Sequence, residues 1–218
     1  NTHGEADKII LTDKELLASA QEHIALYDKS GEQHYDIISA FIKSIRGSDP
    51  DAAIYYLARM LHGGEDVKFI ARRLIIAASE DIGNANPNAL LLANACFESV
   101  SNIGMPEARI ILAQCTTYLA SSEKSNAAYE AINKAMAFVA KQPAHPVPLH
   151  LSNAPTRLMK QIGYGEGYKY SHSFEGTDGN QQFLPDAVQK ERFYYPKEKG
   201  SEGNLKRFLQ QLWGNRFG

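Results

Sequence analysis

Arg72 and Arg73 stand side by side between Ile70 and Leu74, in a stretch whose spacing predicts a helix. At least one of the two must point away from the apolar face. A planar guanidinium with five donors suits forked hydrogen bonds across a protein interface. Glu80 and Asp81 follow at the end of the same stretch. Adjacent helix residues point away from each other, so these carboxylates are not placed to share a proton. A solvated helix end or salt bridges between subunits suits them better. A surface or ion-paired arginine is the plainer reading of the pair, and it stays open beside the other, in which Arg72, Arg73, Glu80 and Asp81 are the candidate contacts for self-association.

A second group interleaves rings with cations. It contains Tyr164, Tyr168, Lys169, Tyr170, His172 and Phe174, and further along Phe193-Tyr194-Tyr195-Pro196. Aromatic faces can stack on single-stranded bases while Lys or Arg meets phosphate. The same rings can instead pack back onto a helical core, and both readings stay open. Lys160, Tyr168, Lys169, Tyr170, Lys190 and Arg192 are the candidate nucleic-acid contacts.

Other chemistries find no support. The pattern G-x-x-x-x-G-K-[ST] of a phosphate loop does not occur, nor does a strand ending in paired acids for a nucleotide magnesium. Gly163-Tyr164-Gly165-Glu166-Gly167 follows a helix and leads into a Tyr-rich loop, whereas a dinucleotide cradle needs a strand before it and a helix after it. A turn is the expectation there. His145 and His150 lie in a Pro-rich segment with no helical register for a metal. No Ser/His/Asp set stands out. Cys96 and Cys115 lie in apolar, helix-like stretches and read as buried free thiols of a reducing compartment. No catalytic, cofactor or metal residue is assigned.

The elements that carry these groups are helical. Thr12 and Glu15 form a capping box that opens a helix to about Leu26. The next runs from about Glu32 to Arg46, with Ile37, Ile38, Phe41, Ile42 and Ile45 on one face. Asp49-Pro50 starts a third, since Asp caps well and Pro tolerates the first helical position; Gly63-Gly64 ends it. A fourth spans Asp66 to Asp81 and stops at Gly83. A fifth opens at Asn86-Pro87 and stops near Gly104. A sixth runs from Pro106 to about Ala120. Ser125 or a neighbour caps a seventh that ends near Gln142. Prolines 143, 146 and 148 forbid its continuation. A short helix at Pro155–Ile162 and a last one at Ser201–Trp213 complete the set. The fold class is all-α, a bundle of about seven to nine helices. Its C-terminal segment is irregular and rich in Gly, Tyr and Pro, with room for one short hairpin.

Composition agrees with an ordinary globular chain: 218 residues, 44% hydrophobic and 22% charged. No apolar run approaches a membrane span, and residues 1–25 lack the pattern of a signal peptide. A start at Asn1 rather than Met reads as a processed or truncated chain. Charge is uneven. Residues 1–140 hold 12 Lys and Arg against 18 Asp and Glu, whereas residues 141–218 hold 11 against 7. The C-terminal part is thus basic, and it also holds 11 of the 21 aromatic residues.

Particular strings go further. HYDIISAFIKSIRGSDPDAAIYYLARMLHGGEDVKFIARRLIIAASEDIGNANPNAL (34–90), GMPEARIILAQCTTYLASSEKSNAAYEAI (104–132), VPLHLSNAPTRLMKQIGYGEGYKY (147–170) and QQFLPDAVQKERFYYP (181–196) occur in this order. Together they resemble the region after the ATPase core of the RarA/MgsA family, AAA+ proteins of the clamp-loader clade whose eukaryotic relatives are the Werner-helicase-interacting proteins. The resemblance covers roughly residues 24–212. It implies an intact protein that binds ATP and magnesium in an N-terminal core and hydrolyses ATP in response to DNA. It also implies a helical C-terminal domain that forms a homotetramer, and work in replication and repair at stalled forks. The implied partners are further copies, DNA and single-stranded-DNA-binding protein; the implied location is the bacterial cytoplasm, at the nucleoid. On this reading residues 1–25 are the end of the AAA+ lid, 26–142 the helical oligomerisation domain, and 143–218 a basic aromatic extension that packs on the bundle. The phosphate loop, magnesium acids and lid arginine are not in this sequence, so this chain is expected to be no enzyme and to hold no cofactor by itself.

Overall fold

The computed structural model describes residues 31–170 and 181–217. Among them are eight α-helices, and no strand. This is the all-α class that caps and apolar faces predict. The helix expected from Thr12 to Leu26 lies outside the described residues, as does the part of the Gly/Tyr-rich segment at 171–180 that had room for a hairpin. The chain divides into two compact units, whose described parts are 31–77 with 91–122, and 78–90 with 123–217.

In the first unit, α1 (Gly31–Arg46), α2 (Pro50–His62) and α3 (Val67–Ala77) all pack on α5 (Ala108–Ser121). The α1 face is the one its spacing predicts: Ile37, Ile38, Phe41, Ile42 and Ile45 are buried. Asp49 caps α2 through Oδ1, which accepts from the Ala52 N–H at 2.9 Å, and Pro50 takes the first helical position. That carboxylate satisfies a backbone donor the helix itself leaves orphaned. Ile70, Leu74 and Ala77 give α3 its buried stripe. On α5, Leu112, Cys115 and Leu119 do the same. α4 (Asn88–Ile103) contributes Ala93, Cys96 and Val100 to the buried set. Cys96 and Cys115 are free and buried, as expected. The Cys96 sulfur beside it, together with burial, holds the Cys115 thiol far above its ordinary range, so it stays protonated.

In the second unit the helix predicted to reach Asp81 departs from its α-helical path at Ala77. Ala78–Ile82 winds as a wider π turn, and Gly83–Ala85 as a 3-10 turn. The second of these turns runs against another stretch of backbone. Gly83 takes φ +50°, and a Cβ there would stand 2.6 Å from the Ser125 carbonyl oxygen. Only a chain without a side chain passes that close to another backbone. α6 (Ala127–Val139) packs on both turns, and α8 (Gly200–Trp213) packs on Gly83–Ala85. Between them lie the Pro-rich stretch and short α7 (Arg157–Gln161), capped by Thr156, whose hydroxyl accepts from the Met159 N–H at 3.2 Å.

The Gly163–Gly167 stretch is a turn, as expected. The N–H groups of Gly163, Tyr164, Gly165 and Glu166 are committed to the carbonyls of Lys160, Met159, Leu149 and Gly163 at 3.1, 3.1, 2.8 and 3.2 Å. Donors already used inside the chain do not cradle a phosphate. Among the described residues no helix is long and apolar enough to cross a membrane.

Candidate functional site

The second unit is organised around one acid. Glu202, in the first turn of α8, is fully buried. Its two oxygens each accept from a hydroxyl: Oε2 from Ser125, and Oε1 from Tyr194 at 2.6 Å. The Tyr194 oxygen in turn accepts from Asn84 Nδ2 at 3.2 Å. Ser125 Oγ also accepts from the Ala127 N–H at 3.3 Å, which ties the cluster to the start of α6. Lys197 donates to Asn126 Oδ1 beside it. Three distant stretches therefore close on one carboxylate: the 3-10 turn through Asn84, the entry to α6 through Ser125, and the extended run before α8 through Tyr194. A buried acid is costly unless hydrogen bonds satisfy it, and here hydroxyl donors reach both oxygens. Gly200 completes the closure. At φ +49° a Cβ there would collide with the Ala85 carbonyl oxygen, so α8 starts directly against the turn.

The Tyr194 phenol is pushed up to about 12, first by burial and then by its bond to Glu202. A raised acid pKa means that folding favours the protonated phenol. The stabilisation is complete below the ordinary value near 10.0 and disappears as pH rises through about 12. Ultraviolet titration of the phenolate band is expected to show one late-ionising tyrosine that Tyr194→Phe removes. A Tyr194→Phe profile identical to wild type contradicts this.

α6 presents a different surface. Its inner side carries Ala127, which is buried, and Phe138, whose ring meets Phe193 edge-on at 5.6 Å. Its outer side leaves Tyr129, Ile132, Met136 and Val139 exposed. At the C-terminal end of that stripe lies an apolar pocket of about 420 Å³, lined among others by Phe138, Val139, Pro143, Leu184 and Phe193.

Comparison with known proteins places these features in a family. The family model described as MgsA AAA+ ATPase C terminal matches residues 47–213, and one described as AAA C-terminal domain matches residues 1–46. The chain belongs to the MgsA AAA+ ATPase family, as part of its C-terminal region. It is 45% identical over 190 residues to Replication-associated recombination protein A of Coxiella burnetii, covering 87% of this chain and 43% of that protein. It is 40% identical over 202 residues to the protein of the same name from Escherichia coli K12, covering 92% and 45%. It is 40% identical over 195 residues to ATPase WRNIP1 of Dictyostelium discoideum, covering 89% and 22%. The chain thus spans less than half the length of these curated relatives.

The MgsA-like strings SEDIG and KSN meet in space, since Gly83 of the first runs against the carbonyl of Ser125 in the second. The sequence-level candidates sit as follows. Arg72 is exposed, 3.8 Å from Asp66 and over the Phe69 ring at 5.9 Å. Arg73 and Glu80 are half-buried. Asp81 is buried, and its charge acts on Lys124, whose own ionisation burial lowers. The first two belong to one unit and the last two to the other.

Of the candidate nucleic-acid contacts, Lys160, Tyr168, Tyr170 and Lys190 are exposed. Lys169 is half-buried, and its backbone N–H donates to Gln181 Oε1 at 2.7 Å. Arg192 works inside the fold: its guanidinium lies 4.3 Å over Tyr195 and 5.1 Å over Phe217, and Nε donates to the Tyr194 carbonyl at 3.3 Å. Lys134 joins it, donating to the Arg192 carbonyl at 2.6 Å. Sequence reasoning missed Glu202 and the α6 stripe. The available signal for Glu202 was Gly200 two residues before it, a glycine at a helix start that marks close approach of the backbone. Among the described residues no group of three or more His, Cys, Asp or Glu is placed to hold a metal ion.

Proposed function

We propose that this chain is the assembly region of an AAA+ ATPase that acts in replication and repair. Its helices join copies into a homotetramer and so hold several ATPase cores close together on DNA. The observation that carries this reading is the outer stripe of α6, where Tyr129, Ile132, Met136 and Val139 stand in solvent. Large apolar side chains gathered on one exposed helix face mark an interaction surface. The names of the relatives, Replication-associated recombination protein A among them, support the cellular setting. In the intact protein, ATP and magnesium would be held by the AAA+ core, and the protein would work at the bacterial nucleoid with DNA and single-stranded-DNA-binding protein. Light scattering on the pure chain at tens of micromolar tests the assembly claim. The expected mass is four times the 24.1 kDa of one chain, and a strict monomer contradicts it. This region alone is expected to turn over no ATP; stoichiometric hydrolysis by the pure chain contradicts that.

A second reading is contact with single-stranded DNA or duplex ends. It is favoured by the exposed rings of Tyr168 and Tyr170 with exposed Lys160 and Lys190 in the same basic C-terminal part. Fluorescence titration should then show binding that falls steeply with salt. Absence of binding in low salt removes this reading.

A further inference from the structure

The exposed stripe of α6 has a spacing that selects its occupant. Tyr129, Ile132, Met136 and Val139 are separated by three, four and three residues. At 3.6 residues per turn they fall within an arc of about 80° and run for roughly 15 Å along the helix. A seam that narrow, at heptad spacing, fits the side of another helix better than a flat surface. Every copy of this chain carries the same seam, and identical patches pair about a two-fold axis.

The areas involved say what else must join. The four side chains are 45%, 56%, 65% and 68% exposed. With roughly 150–250 Å² on a large side chain, they present on the order of 400 Å² per copy. Two copies would cover about 800 Å², short of the ~1,200 Å² at which stable interfaces begin. The adjoining pocket adds apolar surface at the end of the stripe. It shares Val139 with the stripe, and its walls include Phe138, Leu184 and Phe193. Its polar lining residues are Gln142 and His145.

Orientation follows. If the two helices ran parallel, Tyr129 would meet Tyr129, and both pockets would stay open to water. If they run antiparallel, the Tyr129 of each copy comes opposite Val139 of the other, at the pocket mouth. A tyrosine has an apolar ring for such walls and a hydroxyl for a polar group among them. We propose that two copies pair antiparallel through α6, each seating its Tyr129 in the Phe138–Phe193 pocket of the other. This rests on the assembly reading above and supplies one of the two interfaces that a tetramer with crossed two-fold axes needs.

Cysteine cross-linking tests it. Chains carrying Tyr129→Cys are mixed with chains carrying Val139→Cys and treated with a mild oxidant. The native Cys96 and Cys115 are buried and do not compete. The expected result is a covalent pair in the mixture and none with either variant alone. A second variant, Met136→Asp, is exposed and should leave the circular dichroism and melting unchanged while weakening association at least tenfold. Cross-linking of each variant with itself, or an unchanged association constant for Met136→Asp while the wild type remains assembled, overturns the antiparallel seam and leaves the assembly reading standing. A wild-type chain that stays monomeric overturns both.

Discussion

Glu202→Ala is expected to destabilise the second unit by roughly 3–5 kcal/mol, measured by urea unfolding. The substitution strands two hydroxyls, those of Ser125 and Tyr194, that now donate to the carboxylate. Each buried donor left without an acceptor costs about 1–3 kcal/mol, and the missing side-chain volume adds a cavity. Glu202→Gln keeps one acceptor oxygen and turns the other position into a donor, so its loss should be smaller. Glu198→Ala serves as the comparison. Exposed Glu198 pairs with Lys206 at 2.7 Å at the surface, where such pairs contribute little. A Glu202→Ala loss no larger than that of Glu198→Ala contradicts the view that this acid joins the three stretches.

Gly200→Ala is expected to detach the start of α8 at a cost of roughly 3 kcal/mol or more. A Cβ at φ +49° is strained by about 1–2 kcal/mol even in open space. Here it would also collide with the Ala85 carbonyl oxygen, which is backbone and cannot swing aside. Gly203→Ala gives the matched opposite. Gly203 lies inside α8, and its nearest neighbours to an added Cβ are backbone atoms of Glu198 at 3.8 Å, an ordinary contact. Removing a helical glycine there should stabilise by about 0.5–1 kcal/mol. Amide exchange along α8 separates the two: faster in Gly200→Ala, unchanged or slower in Gly203→Ala. Equal protection in both variants argues against a close approach at Gly200.

What the sequence made legible is local. The Asp49-Pro50 start of α2 and the five-residue apolar face of α1 are short-range patterns, and both stand as expected. The Gly163–Gly167 turn was readable for the same reason. The 3-10 turn at Gly83–Ala85 was not, because Gly83 there passes the Ser125 carbonyl, far along the chain. Glu202 was hidden likewise. An acid in the first turn of a helix normally faces solvent and meets the helix dipole; this one is buried because Ser125, 77 residues earlier, donates to it. The α6 stripe escaped notice because that helix is apolar nearly all round. Ala127, Tyr129, Ala131, Ile132, Ala135, Met136, Phe138 and Val139 give no single face. Packing decides it, with Ala127 and Phe138 turned inward and Tyr129, Ile132, Met136 and Val139 left out. Of the charged candidates, Asp81 was read with Glu80 as a solvated helix end or a salt bridge between subunits; it is buried, and its charge acts on Lys124.

Sedimentation velocity over a concentration series from about 1 to about 100 µM reads subunit association directly. Self-complementary helices should yield a four-chain species that grows in with concentration and that Met136→Asp pushes back toward smaller species. A single sedimenting boundary of one-chain mass at every concentration contradicts the account.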